Sequence, residues 1–239
     1  MFSLYVKELN GFFSNLTGYI ILVVFLVALG LIVWVFPGTS VLEYGYAELD
    51  TLFSHTPLVF VFLVPAITMR MIAEEKKTGT WELLMTSPLT AFQIVGSKYM
   101  AALTLILFAL LPTLVYYYSV VQLGDPTGNI DSAGFFGSYI GLVMVGAAFA
   151  AIGLFTSSFT DNQIVAFVLG VFFGFFLYTG LSALAGLQTG TLAMWMEELS
   201  ISYHYDSMGR GVVESKNVYY FIALISTVLA LTWGVISKK

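Results

Sequence analysis

An all-α protein that crosses a membrane six times is what this sequence predicts, and three observations predict it. Apolar residues fill 59% of the 239 positions and charged residues 10%, against about 45–50% and about 25% in an ordinary soluble domain. The apolar residues gather into six runs that reach the length of a membrane-crossing helix, about 20 residues. The basic residues between those runs are unevenly shared between alternate loops, as in polytopic membrane proteins. The formal charge of −5 therefore says little about soluble partners, and nothing points to nucleic acid. Zero cysteines exclude disulfides, thiol nucleophiles, cysteine-bound zinc and iron–sulfur clusters.

The chain opens, over residues 1–17, with a segment that places Phe2, Tyr5, Val6, Leu9, Phe12, Phe13 and Leu16 on one helical face. Ser3, Lys7, Glu8, Asn10 and Ser14 take the other face, the pattern of a helix lying on a membrane surface. The same residues could extend the first span, but Gly11 and Gly18 favour a break. It does not read as a signal peptide, because it has no basic start and no cleavage site.

Spans are expected near 18–36, 56–73, 98–122, 135–159, 163–187 and 217–236. The second is the weakest, short and carrying Pro57 and Pro65; the third carries Pro112. Each proline removes a backbone donor and can kink its helix. The pairs Gly137–Gly141 and Gly170–Gly174 read as ordinary close packing, with the phenylalanine-rich fifth span as a candidate subunit contact.

Orientation follows from lysine and arginine. With the N-terminus in the cytoplasm, Lys7, Arg70, Lys76, Lys77, Lys98, Lys238 and Lys239 lie inside, and only Arg210 and Lys216 outside. Seven against two is a positive-inside bias, so both termini are expected in the cytoplasm.

The second loop, residues 74–90, is then cytoplasmic. It concentrates Glu74, Glu75, Lys76, Lys77 and Glu82 within nine positions. Thr78, Gly79 and Thr80 can turn the chain, and Thr80 can cap a short helix from Trp81 to Ser87, with Glu82 in its first turn. Trp81, Leu84 and Met85 form one ridge of that helix, and Pro88 ends it. Thr90 and Gln93 fit a capping box that starts the third long helix near Ala91. Two readings fit the ridge: it rests on the bilayer, or it docks in a groove of a cytoplasmic partner.

With these span limits no acid or base lies deep in a span, which counts against an ion-coupled carrier. No serine–histidine or paired-aspartate arrangement faces the membrane interior, since His55 and His204 fall at the outer side. No G-x-x-x-x-G-K-[ST] sequence is present, so any ATP-driven work needs another chain.

The segment "EEKKTGTWELLMTSPLT" resembles the signature of ABC-2 type permeases, the membrane subunits of certain ABC transporters. Glu74, Glu75, Gly79, Thr80, Glu82, Leu84 and Pro88 match that family's acidic residue and G-T-x-E-x-L-L-x-x-P pattern in order. The resemblance implies a single membrane domain over 1–239, and a coupling helix at 74–90 that sits in a cleft of a cytoplasmic ABC ATPase. On that reading Trp81, Leu84 and Met85 are what the ATPase grips, and ATP and magnesium are bound by the partner. The implied assembly is a dimer of permease copies or homologues in a bacterial inner membrane, surrounded by lipid, with an external auxiliary subunit as a further candidate.

The loop at 188–216 is too long for a plain connector. "TLAMWMEELS" reads as a short amphipathic helix at the outer surface. After it, His204, Arg210, Gly211, Val212 and Glu214 resemble a motif of the subgroup that holds the gliding-motility-associated permease subunit and the NosY-like permeases. Tyr205 and Met208 depart from it, standing where phenylalanine is usual. Arg210 and Glu214 can pair across a helical turn, and His204, Asp206 and Glu214 are too irregularly spaced to read as a metal site. The rival functions are an ATP-independent carrier or channel, and a membrane scaffold or assembly factor.

Overall fold

Elements follow one another as helices throughout the computed structural model, which describes residues 1–209 and 214–237 and has no strand among them. The order is α1 (Phe2–Phe13), α2 (Leu16–Trp34), α3 (Val41–Tyr44), α4 (Asp50–Lys77), α5 (Thr80–Met85), α6 (Ala91–Leu110) and α7 (Leu114–Leu123). Then come α8 (Ser132–Phe159), α9 (Gln163–Phe175), α10 (Leu181–Ala185), α11 (Thr191–Glu198), α12 (Ile201–Met208) and α13 (Ser215–Ser237). Six segments are long and apolar enough to cross a membrane: α2, α4, α6 with α7, α8, α9 with α10, and α13.

The two proline predictions part company. Pro112 interrupts the third span, where a 3-10 turn over Leu111–Thr113 joins α6 to α7. The second span is not short: α4 runs for 28 residues straight through Pro57 and Pro65. Two of its buried threonines are satisfied within the helix, as Thr56 donates to the Leu52 carbonyl (2.6 Å) and Thr68 to that of Val64 (2.9 Å). Residues that lower its hydropathy therefore bury well.

In the most apolar windows of α4 and α8, 67% and 78% of positions are buried, against 22% in α9 with α10 and in α13. The first pair is the centre of the bundle and the others its periphery. Small residues make the centre tight. A Cβ on Gly153 of α8 would stand 2.0 Å from Thr68 Oγ1 of α4. The glycine pairs pack inside the chain: Gly141 lies against Tyr205 and Gly170 against Pro65. The small-residue side of α9 is thus spent on α4, while Val168, Phe172 and Phe175 point outward.

α1 is separate from the first span. Asn15 caps α2, accepting from the Thr17 backbone N–H at 3.2 Å. α1 lies against α6, with Leu4 buried and Tyr5, Leu9, Phe12 and Phe13 packed on the core. Much of its expected lipid-facing side therefore covers protein, while Phe2 stays exposed.

Candidate functional site

The segment between the second and third spans is built by one turn. α4 continues through Lys77, its last carbonyls accepting from the N–H groups of Thr78 and Gly79. Gly79 then takes φ 72°, the left-handed region that an L side chain resists, and α5 leaves in a new direction. Gly79 stands at the start of α5, so the expected cap by Thr80 is corrected. The Thr80 hydroxyl instead meets that of Thr78 (3.0 Å) and donates to the Glu75 carbonyl (3.4 Å). Glu82 is in the first turn as expected, and α5 ends at Met85, ahead of Pro88. The Thr90–Gln93 capping box forms in both directions, at 3.1 and 3.3 Å.

The ridge faces the bundle. Trp81 is 7% exposed and belongs to the buried core, with the Lys76 ammonium 5.8 Å from its ring centroid. Leu84 and Met85 are half-buried against the same core. Burial of the largest apolar surface inside the chain explains this: Trp81 offers a partner little surface, while Leu84 and Met85 keep part of theirs. The outward face is Thr80, Glu82, Leu83, Thr86 and Pro88, with Leu83 72% exposed.

Beneath α5 lies an ionic cluster that sequence reasoning missed. Lys98, expected to mark where the third span meets the surface, is fully buried. Its ammonium lies 2.6 Å from Glu8 Oε1 and donates to the Met71 carbonyl. It also stands 2.8 Å from Glu75 Oε2, off the direction of an aligned hydrogen bond, so that contact is a charge pair. Glu75 Oε1 accepts from Lys7 at 2.7 Å. One ammonium thus ties α1, α4 and α6 together, and such a charge is tolerated in the interior only when paired this closely. Burial works to lower the Lys7 pKa, but the hydrogen bond to Glu75 and the charges of Glu75 and Glu8 outweigh it and raise the value. Glu74 is exposed and Glu75 is not, so the two adjacent acids have different surroundings.

α8 reaches the same place from the other side. Ser157 Oγ accepts from the backbone N–H groups of Ile72 (3.3 Å) and Ala73 (3.0 Å) and donates to the Met69 carbonyl (3.0 Å). Lys76 donates to the Ser158 carbonyl. The stem that carries α5 is therefore bonded to the central helix α8 just before it leaves the bundle.

At the opposite end, α11 occupies the place of the expected amphipathic helix and α12 follows it. His204 is buried, its ring nitrogens 2.8 Å from Asn217 Oδ1 and from the Glu198 carbonyl, and its ring stacked on Tyr220 at 3.8 Å. It clamps α12 to α13. Tyr205 donates to the Phe53 carbonyl of α4 at 2.8 Å. Glu214 is exposed, Arg210, Gly211 and Val212 lie outside the described residues, and among those described no cluster suits a metal.

Six apolar spans with a short helix set between the second and third define a multi-pass, all-α membrane protein. The chain belongs to a transporter family: the profile described as ABC-2 family transporter protein matches residues 39–236. It is a permease of that family, a class that as a rule works with an ATPase partner and carries no ATPase site of its own. No curated protein matches the chain.

Proposed function

We propose that this permease couples ATP hydrolysis by a separate cytoplasmic ATPase to export across a bacterial inner membrane, with both termini in the cytoplasm. The observation that carries this reading is α5 itself, a two-turn helix whose core side is fastened to the bundle and whose Glu82, Leu83 and Thr86 face outward. A connector needs neither an exposed leucine at its tip nor a stem held by Lys98, Ser157 and Lys76. ATP and magnesium bind in the partner, and the motion of its cleft enters through Leu83 and Glu82 and passes along α4. Glu75 and Trp81 act behind that surface by holding the stem. The tight seam of α4 on α8 favours a path formed between two permease copies, or a copy and a homologue, over one through a single bundle.

The domain divisions at 1–17, 74–90 and 188–216 are read in the same way: surface helix, coupling segment and outer lid. The His204 motif favours the subgroup of the gliding-motility-associated and NosY-like permeases, and the outer lid is where an external auxiliary subunit would sit. To test the coupling role, the tagged chain is purified from membranes of its own host, and the ATPase that accompanies it is measured. Leu83→Asp is expected to abolish association while leaving the thermal stability of the chain unchanged. Equal ATPase recovery with Leu83→Asp, or none with the native chain, would overturn the proposal.

A further inference from the structure

A cleft of about 340 Å³ opens between α1, the start of α2 and the inner face of α4. That volume falls at the low end of the range for small-ligand sites, about 300–1,000 Å³. Its walls differ in kind. Phe12, Ile21, Ala66 and Ile67 line it with hydrocarbon, and Arg70 brings a guanidinium to it. Of the other charges of the lining, Glu74 is exposed one helical turn from Arg70, and the rest are paired. Glu8 and Glu75 are held by Lys98, and Lys7 by Glu75.

Arg70 is not spent. Its Nε is buried without a hydrogen-bond partner, and among the described residues Arg70 makes no hydrogen bond or ion pair. A buried donor left unmatched is costly, and a cationic one more so. Its fork geometry suits a two-oxygen anion, phosphate or carboxylate. Position decides between them. Arg70 precedes the end of the membrane-crossing helix α4 at Lys77 by seven residues, about 10 Å along the axis at 1.5 Å per residue. That is the level of lipid headgroups, and the apolar wall continues from the guanidinium toward the bilayer interior along Ile67, Ala66 and Ile21.

We propose that this cleft seats a membrane phospholipid, its phosphodiester on Arg70 and an acyl chain along the Ile21–Ala66–Ile67 wall. The bound lipid spans α1 and α4 and completes the contact that α1 makes beside Lys98. This does not depend on an ATPase partner, so it stands or falls separately from the coupling role.

The test is native mass spectrometry of the purified full chain released from detergent, with three probes: phosphatidylglycerol, diacylglycerol of the same acyl chains, and inorganic phosphate. Phosphatidylglycerol is expected to remain bound to the native chain, and Arg70→Gln to weaken it about tenfold or more, the loss of a charge-assisted pair. Diacylglycerol should bind at least as weakly as that, and millimolar inorganic phosphate should not displace the lipid. Ile21→Trp narrows the apolar wall from α2 and leaves the helix that carries Arg70 unchanged; it should also expel the lipid, which keeps the test decisive if Arg70→Gln fails to fold. Equal lipid retention by both variants, equal binding of diacylglycerol, or displacement by free phosphate would each overturn the proposal.

Discussion

Replacing Lys98 by methionine leaves Glu8 and Glu75 without the ammonium that both now share. Breaking a buried pair by removing one partner costs about 3–5 kcal/mol. In a chain of this size that lowers the melting temperature by roughly 10 °C, measurable by thermal unfolding in detergent. Glu75→Gln in the same chain should recover part of the loss, because the two residues are in contact and their effects do not add. Strict additivity would mean that the cluster is not one unit. Lys7 contributes less: its side chain is 61% exposed, and such pairs are worth about 0–1 kcal/mol. Its folded pKa is raised, so that contribution is fully present below the usual lysine value and is lost only as pH rises through the raised one, in alkaline solution. Gly153 sets the other residue-scale limit. A Cβ there meets Thr68 Oγ1 at 2.0 Å, so Gly153→Ala must part α4 from α8, at about 1–3 kcal/mol. Thr68→Ala in the same chain should restore most of that stability, and no rescue would place the strain elsewhere.

At the scale of elements, α5 depends on one backbone angle. Gly79→Ala forces a Cβ into the left-handed region, worth about 1–2 kcal/mol, and should raise amide hydrogen exchange across 79–86 while the spans stay protected. Gly11→Ala is the control: it lies inside α1, at negative φ and with open space around it, so alanine there should be neutral or stabilising. Equal loosening by both would show that α5 is not held by its turn. The sequence made α5 legible because its signals are local: a glycine turn, a proline stop and the Thr90–Gln93 box each lie within a few residues of what they control. The facing of its ridge was not legible. Periodicity groups Trp81, Leu84 and Met85, but whether the group meets lipid, a partner or its own chain depends on α4 and the core behind it. Lys98 was misread for the same reason. A lysine at the edge of an apolar run usually reaches toward water, and nothing near it in sequence announces Glu8, which arrives from the far end of the chain. The second span was undervalued because prolines and threonines lower its hydropathy, although its hydroxyls bond within the helix and let it become the most enclosed span after α8.

The whole molecule turns on which end of the bundle is which. α1, α5 and the starts of α6 and α9 share one end, and α3, α11 and α12 share the other, as alternating spans require. Among the described residues, Lys7, Arg70, Lys76, Lys77 and Lys98 fall at the α5 end and Lys216 at the other. That bias favours a cytoplasmic α5 end, which the proposed coupling role also requires, because ATP is supplied from that side. The absence of cysteine allows a direct check, since any cysteine introduced is the only thiol in the chain. Leu83 and Tyr46 are 72% and 74% exposed and stand at opposite ends. A membrane-impermeant maleimide applied to intact spheroplasts should label Tyr46→Cys and spare Leu83→Cys, with the second becoming reactive once the membrane is opened. The reverse pattern would invert the topology and remove the coupling role with it, whatever the stability of α5. If the topology holds, the same Leu83→Cys chain separates docking from mere exposure. In opened membranes that retain the ATPase its labelling should be slow, and stripping the ATPase should raise the rate toward that of Tyr46→Cys. A rate indifferent to the ATPase would mean that the outward face of α5 is bare, and that energy enters this permease elsewhere.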